Sequence, residues 1–92
     1  MRLCIKEVYP LTKSTFGKKD GSKTFYTVDY LYRNDTNELE AVHCYVDSDV
    51  YNRINVDINI DKTGALIVHN PISCRGHLNY GKFMLDEIIE KE

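Results

Sequence analysis

The chain has 92 residues, a formal net charge of −2, and 42% hydrophobic and 28% charged side chains. That length allows one domain with one core, and that composition excludes a disordered tail. The small negative charge argues against a generic nucleic-acid binder, which usually carries an obvious positive excess, and neither a signal peptide nor a run of about 18 uncharged apolar residues is present, so a soluble cytoplasmic protein with no membrane partner is expected.

The dominant period along the chain is two, the period of strands. Leu3, Ile5, Val8 and Tyr9 mark a first strand, which Pro10 is expected to stop because proline gives no amide hydrogen to a ladder. The stretch STFGKKDGSKTFYTV, residues 14–28, reads as a polar loop carrying Lys18, Lys19 and Lys23 that runs into an aromatic, β-branched segment. In TFYTVDYLYR, residues 24–33, alternation puts Tyr26, Val28, Tyr30 and Tyr32 on one face and Phe25, Thr27, Asp29, Leu31 and Arg33 on the other. Its aromatic and β-branched content makes it the clearest strand. NDTNE supplies turn residues, and LEAVHCYVD, residues 39–47, returns with Val42, Cys44 and Val46 on the apolar face, so a hairpin spans 24–47. Ser48 reads as the N-cap of a single helical turn or short helix with an acid in its first turn. VDINID then alternates with Val56, Ile58 and Ile60 inward, DKTG turns, ALIVH pairs back, and Asn70-Pro71 ends it. The final GKFMLDEIIEKE fits both a helical face and a strand. Five or so short strands with at most one short helix predict a mainly β protein, a small closed or nearly closed barrel.

Charge is segregated along the chain. Residues 10–33 hold Lys13, Lys18, Lys19, Lys23 and Arg33 against Asp20 and Asp29, a net +3. Residues 35–61 hold seven acids and Arg53, a net −6; residues 62–82 hold Lys62, Arg75 and Lys82 with no acid, again +3. A fold that joined the two positive segments would make a basic face on a slightly acidic protein, because a surface field depends on local placement. The acids themselves fit turns and outer faces that keep a small β protein soluble.

No enzyme signature is present: there is no Gly-rich phosphate loop, no glycine-flanked serine elbow and no metalloprotease histidine pair. Cys4, Cys44 and Cys74 are odd in number and far apart, which reads as reduced buried thiols. Cys74-Arg-Gly-His77 is half a zinc spacing, but His43 and Cys44 are strand neighbours that point to opposite faces, so no metal or other cofactor is expected. Seven tyrosines and three phenylalanines are a heavy aromatic load. Proteins that bind single strands combine aromatic faces for the bases with cations for the backbone. Each tyrosine can equally be a core ring with its hydroxyl at the water boundary; Tyr30 and Tyr32 fit that role best, while Tyr26, beside the lysine loop, is expected to be exposed.

The sequence K-T-F-Y at Lys23 to Tyr26, following a basic hairpin arm, and G-K-F-M-L-D at Gly81 to Asp86 resemble the filamentous-phage helix-destabilising proteins, small dimeric OB-fold proteins that coat single-stranded DNA. The resemblance runs over nearly the whole chain in length and element order. It implies a five-stranded OB-like barrel, a C-terminal strand to about residue 89, a homodimer and a place in DNA replication. It also implies that Tyr26 stacks on bases, that Lys18, Lys19 and Lys23 touch phosphates, and that Phe83 lies near the stacking surface or the core. The acidic stretch from Asp35 to Asp61 and the helix near Ser48 depart from that family's pattern. The expected function is therefore binding of single-stranded DNA, with RNA as the alternative polymer. Lys18, Lys19, Lys23, Arg33, Arg75 and Lys82 would meet phosphates, and Tyr26 with Tyr45 or Tyr80 would meet bases. The alternative is a small protein-binding module or inhibitor, from a phage or mobile element, whose acidic segment meets a basic partner.

Overall fold

The structure, a computed structural model, describes residues 3–18, 20–69 and 71–89. The elements are β1 (Leu3–Gly17), β2 (Thr24–Arg33), β3 (Leu39–Val46), α1 (Ser48–Arg53), β4 (Ile58–Ile60), β5 (Leu66–Val68), β6 (Ile72–Asn79) and β7 (Lys82–Ile88). Five strands form one antiparallel sheet in the order β3-β2-β1-β6-β7, and β4 and β5 form a separate hairpin. The sheet curls until its two end strands approach, with Cys44 Sγ on β3 at 3.9 Å from the Leu85 carbonyl on β7. The chain is thus mainly β, with five strands curled into a half-barrel and one short helix, where the sequence predicts a small five-stranded OB-like barrel, closed or nearly so, with at most one short helix; the ambiguous C-terminal segment is a strand.

The core follows from the alternation of the strands. Val28, Tyr30 and Tyr32 of β2, Val42 and Cys44 of β3, and Phe83 and Leu85 of β7 all face inward, and Val50 and Ile54 from the helix segment join them. Two core rings are phenols, and a buried hydroxyl needs a partner. Tyr30, 0% exposed, donates across the interior to the Phe83 carbonyl at 2.7 Å. The Tyr32 hydroxyl donates to Glu40 Oε2 at 2.9 Å and accepts the Phe83 amide at 3.0 Å. Gly76 of β6 is buried directly against Phe83, where a side chain has no room.

Three expectations are corrected. Pro10 does not stop the first strand, which continues to Gly17. The β6 ladder covers β1 only as far as Val8, so Pro10 pairs with Tyr30 of β2 and lies beyond the other neighbour. Proline is tolerated at such an edge and at bulges, and the register slips between Pro10 and Thr12. The slip has a geometric result. Pro10 is opposite Tyr30 and faces the core, whereas beyond Leu11 it is Lys13, opposite Val28, that faces inward. Thr12, Ser14 and Phe16 turn to the outer face with Asp29, Thr27 and Phe25.

The helix cap is Asp47, not Ser48: the Asp47 carboxylate accepts the Val50 amide at 2.9 Å, so the chain enters the helix one residue earlier. Ile60 is not inward but 72% exposed. Its strand belongs to the separate two-stranded hairpin, in which Ile58, like Val56 before it, is half-buried. The hairpin touches the main sheet through Leu66 and Val68, which share a groove with Tyr9, Leu31 and Leu39. The expected stop at Asn70-Pro71 falls on Asn70, outside the described residues; β5 is Leu66–Val68, and the His69 amide beyond it still donates to the Asp57 carbonyl at 2.8 Å.

Candidate functional site

The β1–β2 connection is a short loop pinned by its own backbone. The Lys18 amide donates to the Lys23 carbonyl at 3.0 Å, and the Gly21 amide to the Lys18 carbonyl at 2.9 Å. Gly21 takes a φ of 73°, a left-handed conformation open to glycine without strain. Asp20 accepts the Ser22 amide at 2.9 Å, and the Ser22 bonds hold its carboxyl below the usual carboxylate range. The loop therefore presents Lys18 and Lys23 from a defined turn, at the end of the sheet where β2 begins.

Next to it, on the outer face, the inverted alternation of β1 brings three aromatic side chains together. Phe16 and Phe25 are cross-strand partners with ring centroids 5.2 Å apart and planes 22° apart. Tyr45, from β3, sets its ring edgewise to both, at 6.0 Å and 6.2 Å. Tyr45 is 62% exposed and Phe16 is also exposed. Lys23 Nζ stands 5.0 Å from the centre of the Phe25 ring, close enough for a cation–π contact. Further along the same face the side chains are polar and mutually bonded. Ser14 and Thr27 share a hydroxyl contact at 2.8 Å. Thr12 donates to Asp29 Oδ2 at 2.8 Å, and His43 Nδ1 lies 2.6 Å from Asp29 Oδ1. The Thr12 bond, aided by His43, holds the Asp29 carboxyl below its ordinary value, so Asp29 stays ionised.

Tyr26 is on the other side of β2. Its ring is half-buried at the barrel mouth, 5.1 Å from the ring of Tyr51 on α1. Lys13 is tied to the same place, donating to the Tyr51 carbonyl at 3.0 Å with its Nζ 4.4 Å from that ring. A cleft of about 510 Å³ opens between the two sides, bordered by Lys23, Phe25, Tyr26, Tyr45, Asp47 and Asp86.

Of the residues singled out from the sequence, the structure brings Lys18, Lys23, Tyr26 and Tyr45 to one end of the sheet. Lys19 lies outside the described residues. Arg33 is at the opposite end of β2, roughly 30 Å from Lys23 at about 3.3 Å per residue, where it donates to the Asn37 carbonyl at 3.0 Å. Tyr80 and Lys82 belong to that far end too. The Tyr32 hydroxyl is 3.4 Å from the Gly81 carbonyl between them, and the charge of Lys82 acts on Glu40. Tyr80 is fully exposed at the tip of the β6–β7 turn. Arg75 is committed to an ion pair with Glu87 across β6 and β7. The cations therefore do not form one face: Lys18 and Lys23 share the aromatic end with Asp20, Asp47 and Asp86, while Arg33, Arg75 and Lys82 are elsewhere. Phe83 is in the core.

Sequence reasoning missed Phe16 and Phe25. The alternation in TFYT placed Phe25 opposite Tyr26, which was the usable signal; nothing local marks the slip that turns Phe16 outward. His43 and Cys44 do face opposite sides, as a strand requires, the one exposed and the other buried. Burial pushes the Cys44 thiol up and the Cys74 thiol up to about 12, so both rest protonated and poorly nucleophilic. Among the described residues no three histidine, cysteine or acidic side chains are grouped to hold a metal ion. None of their helices is long and apolar enough to cross a membrane. Comparison with known proteins found no matching family model, no similar curated protein and no similar solved structure.

Proposed function

We propose that this protein binds single-stranded nucleic acid, DNA in the first place, along the outer face of β1, β2 and β3 at the lysine-loop end. One observation carries the reading: the exposed rings of Phe16 and Tyr45 and the half-buried ring of Phe25 form a cluster on the outer face beside Lys23. Clustered exposed rings are costly on a soluble domain unless something covers them. Bases stack on such rings for about 1–3 kcal/mol each whatever their sequence, while cations at the edge follow the phosphates. The strands 2–3 face and the loop joining strands 1 and 2 are also where OB folds take oligonucleotides. The platform is thus Phe25 and Tyr45 with Phe16, Lys18 and Lys23 serve phosphates, and Tyr26 lines the adjoining cleft.

Titration of a fluorescent oligo-dT at several salt concentrations tests this. Two phosphate contacts on a single strand give a log–log salt slope of roughly −1.4. Tyr45→Ala and Phe25→Ala are each expected to weaken binding by about 1–3 kcal/mol. Full affinity in both variants, or an affinity indifferent to salt, contradicts the proposal. The same titration with oligo-U separates DNA from RNA. A homodimer serving DNA replication is part of the proposal, supported by the small single core, which gains from association; sedimentation with and without oligo-dT reads it.

A further inference from the structure

We infer that His43 is a proton-linked phosphate contact: a strand lying on the aromatic face drives protonation of His43, which then bonds a phosphate oxygen through Nε2 while Nδ1 stays on Asp29. The inference rests on the nucleic-acid reading above and names a residue which that reading did not use.

Position comes first. His43 is on β3 two residues from Tyr45, on the same outer face, with ring centroids 6.1 Å apart. Its side chain is 56% exposed. Nδ1 is held by Asp29 Oδ1 at 2.6 Å, and no hydrogen bond to Nε2 is found among the described residues. An imidazole fixed in this way by one nitrogen offers the other to a ligand.

Charge supplies the second step. Among the described residues the side chains against His43 are Asp29 of β2 and Tyr45 of β3, with Thr12 of β1 bonded to the other oxygen of Asp29. Of these Asp29 carries a charge at neutral pH, and it is negative. A phosphate passing from Lys23 along the aromatic cluster therefore meets repulsion at the Asp29–His43 pair. One proton taken from solvent onto His43 changes the pair from −1 to zero and creates an Nε2–H donor on the side away from Asp29. Histidine is the side chain able to do this between pH 5 and 8, and a charge-assisted bond to phosphate is stronger than a neutral one. The other histidines are differently placed. His77 is bonded to Asp86 at 2.7 Å on the β6–β7 side, and His69 to Asn59 at 2.9 Å on the small hairpin.

The experiment is an oligo-dT titration at fixed ionic strength at pH 5.5, 6.5 and 7.5 for the wild type, His43→Gln, His69→Gln and Asp29→Asn. Circular dichroism confirms that each is folded. Coupled protonation predicts that wild-type affinity rises about fivefold as the pH falls from 7.5 to 5.5. His43→Gln should show no such step and His69→Gln should keep it. Asp29→Asn should bind more tightly than the wild type at pH 7.5, since it removes the repelling charge. A wild type that binds without a pH step, or a step that survives in His43→Gln, overturns the role of His43 and leaves the platform standing. No binding at any pH by the folded wild type refutes the nucleic-acid reading itself, and this inference with it.

Discussion

Replacing Gly76 by alanine tests how the half-barrel is held closed. A Cβ at that position would stand 2.1 Å from the Met84 carbonyl oxygen and 2.7 and 2.8 Å from two atoms of the Phe83 ring. The first of these is backbone, so no rotamer change relieves it; β7 must move away from β6. The ring has little freedom either, because Phe83 is fully buried and packs on Tyr32 at 5.6 Å. The Phe83 amide and carbonyl are bonded to the Tyr32 and Tyr30 hydroxyls. Overpacking of a tight core costs about 1–3 kcal/mol, and strain on two buried hydrogen bonds adds about 1 kcal/mol each. The expected loss is therefore about 3–5 kcal/mol, a large share of the roughly 5–15 kcal/mol that stabilises an ordinary domain. Urea unfolding followed by circular dichroism measures it. Adding Phe83→Leu removes the ring contacts but not the one with Met84, so the double variant should recover no more than a part of the loss beyond what Phe83→Leu costs alone. A Gly76→Ala protein within about 0.5 kcal/mol of the wild type would show that β6 and β7 are not packed as described.

Two further predictions concern strain and pH. Tyr80 and Gly81 form the β6–β7 turn with φ values of 52° and 79°, a left-handed pair that favours Asn-Gly over Tyr-Gly. Tyr80→Asn should raise the melting temperature by a few degrees, equivalent to roughly 0.5–1 kcal/mol, and should leave oligo-dT affinity unchanged, because Tyr80 is at the far end of the sheet from the aromatic cluster; a drop in affinity would extend the interface there. Burial pushes the Tyr30 hydroxyl well above its ordinary value of 10.0, so its contribution to stability is complete below pH 10 and declines as the pH rises beyond it, while the depressed carboxyls of Asp29, Glu40 and Asp61 contribute above their ordinary range and lose that contribution as acid protonates them. Urea midpoints at pH 3, 7 and 10.5 should be highest at 7; in Tyr30→Phe the alkaline decline should be smaller, and an equal decline would mean that another group causes it.

The barrel was legible because its strands carry a strong period of two, and because Tyr30 and Tyr32 share a face with Val28 in a segment too apolar to be anything but inner. What the sequence does not show is non-local. The rule that proline ends a strand assumes neighbours on both sides, and Pro10 has passed the end of one of them. Tyr26 was expected to be the open ring because it adjoins the lysine loop, yet at a barrel mouth the facing decides: Tyr26 shares the inner side with Val28 and is half-buried, and Phe25, half-buried too, lies on the outer face beside the exposed Phe16 and Tyr45. The positive stretch from Lys62 to Lys82 likewise became no basic face, since strand register sets Arg75 against Glu87 and leaves Lys82 at the far end of the sheet, opposite Asn79. Linear charge counts cannot see partners supplied by another strand.

The register slip after Pro10 makes Leu11 the extra residue of the arm, set against no position of its own on β2. Removing it would let Thr12 follow Pro10 in unbroken alternation, with Thr12 still opposite Asp29, Lys13 opposite Val28 and Phe16 opposite Phe25, and with the β6 and β7 packing untouched. The bulge thus carries the arm's bend and not its facing: one codon could be lost there while the gripping surface and the interior each keep their residues.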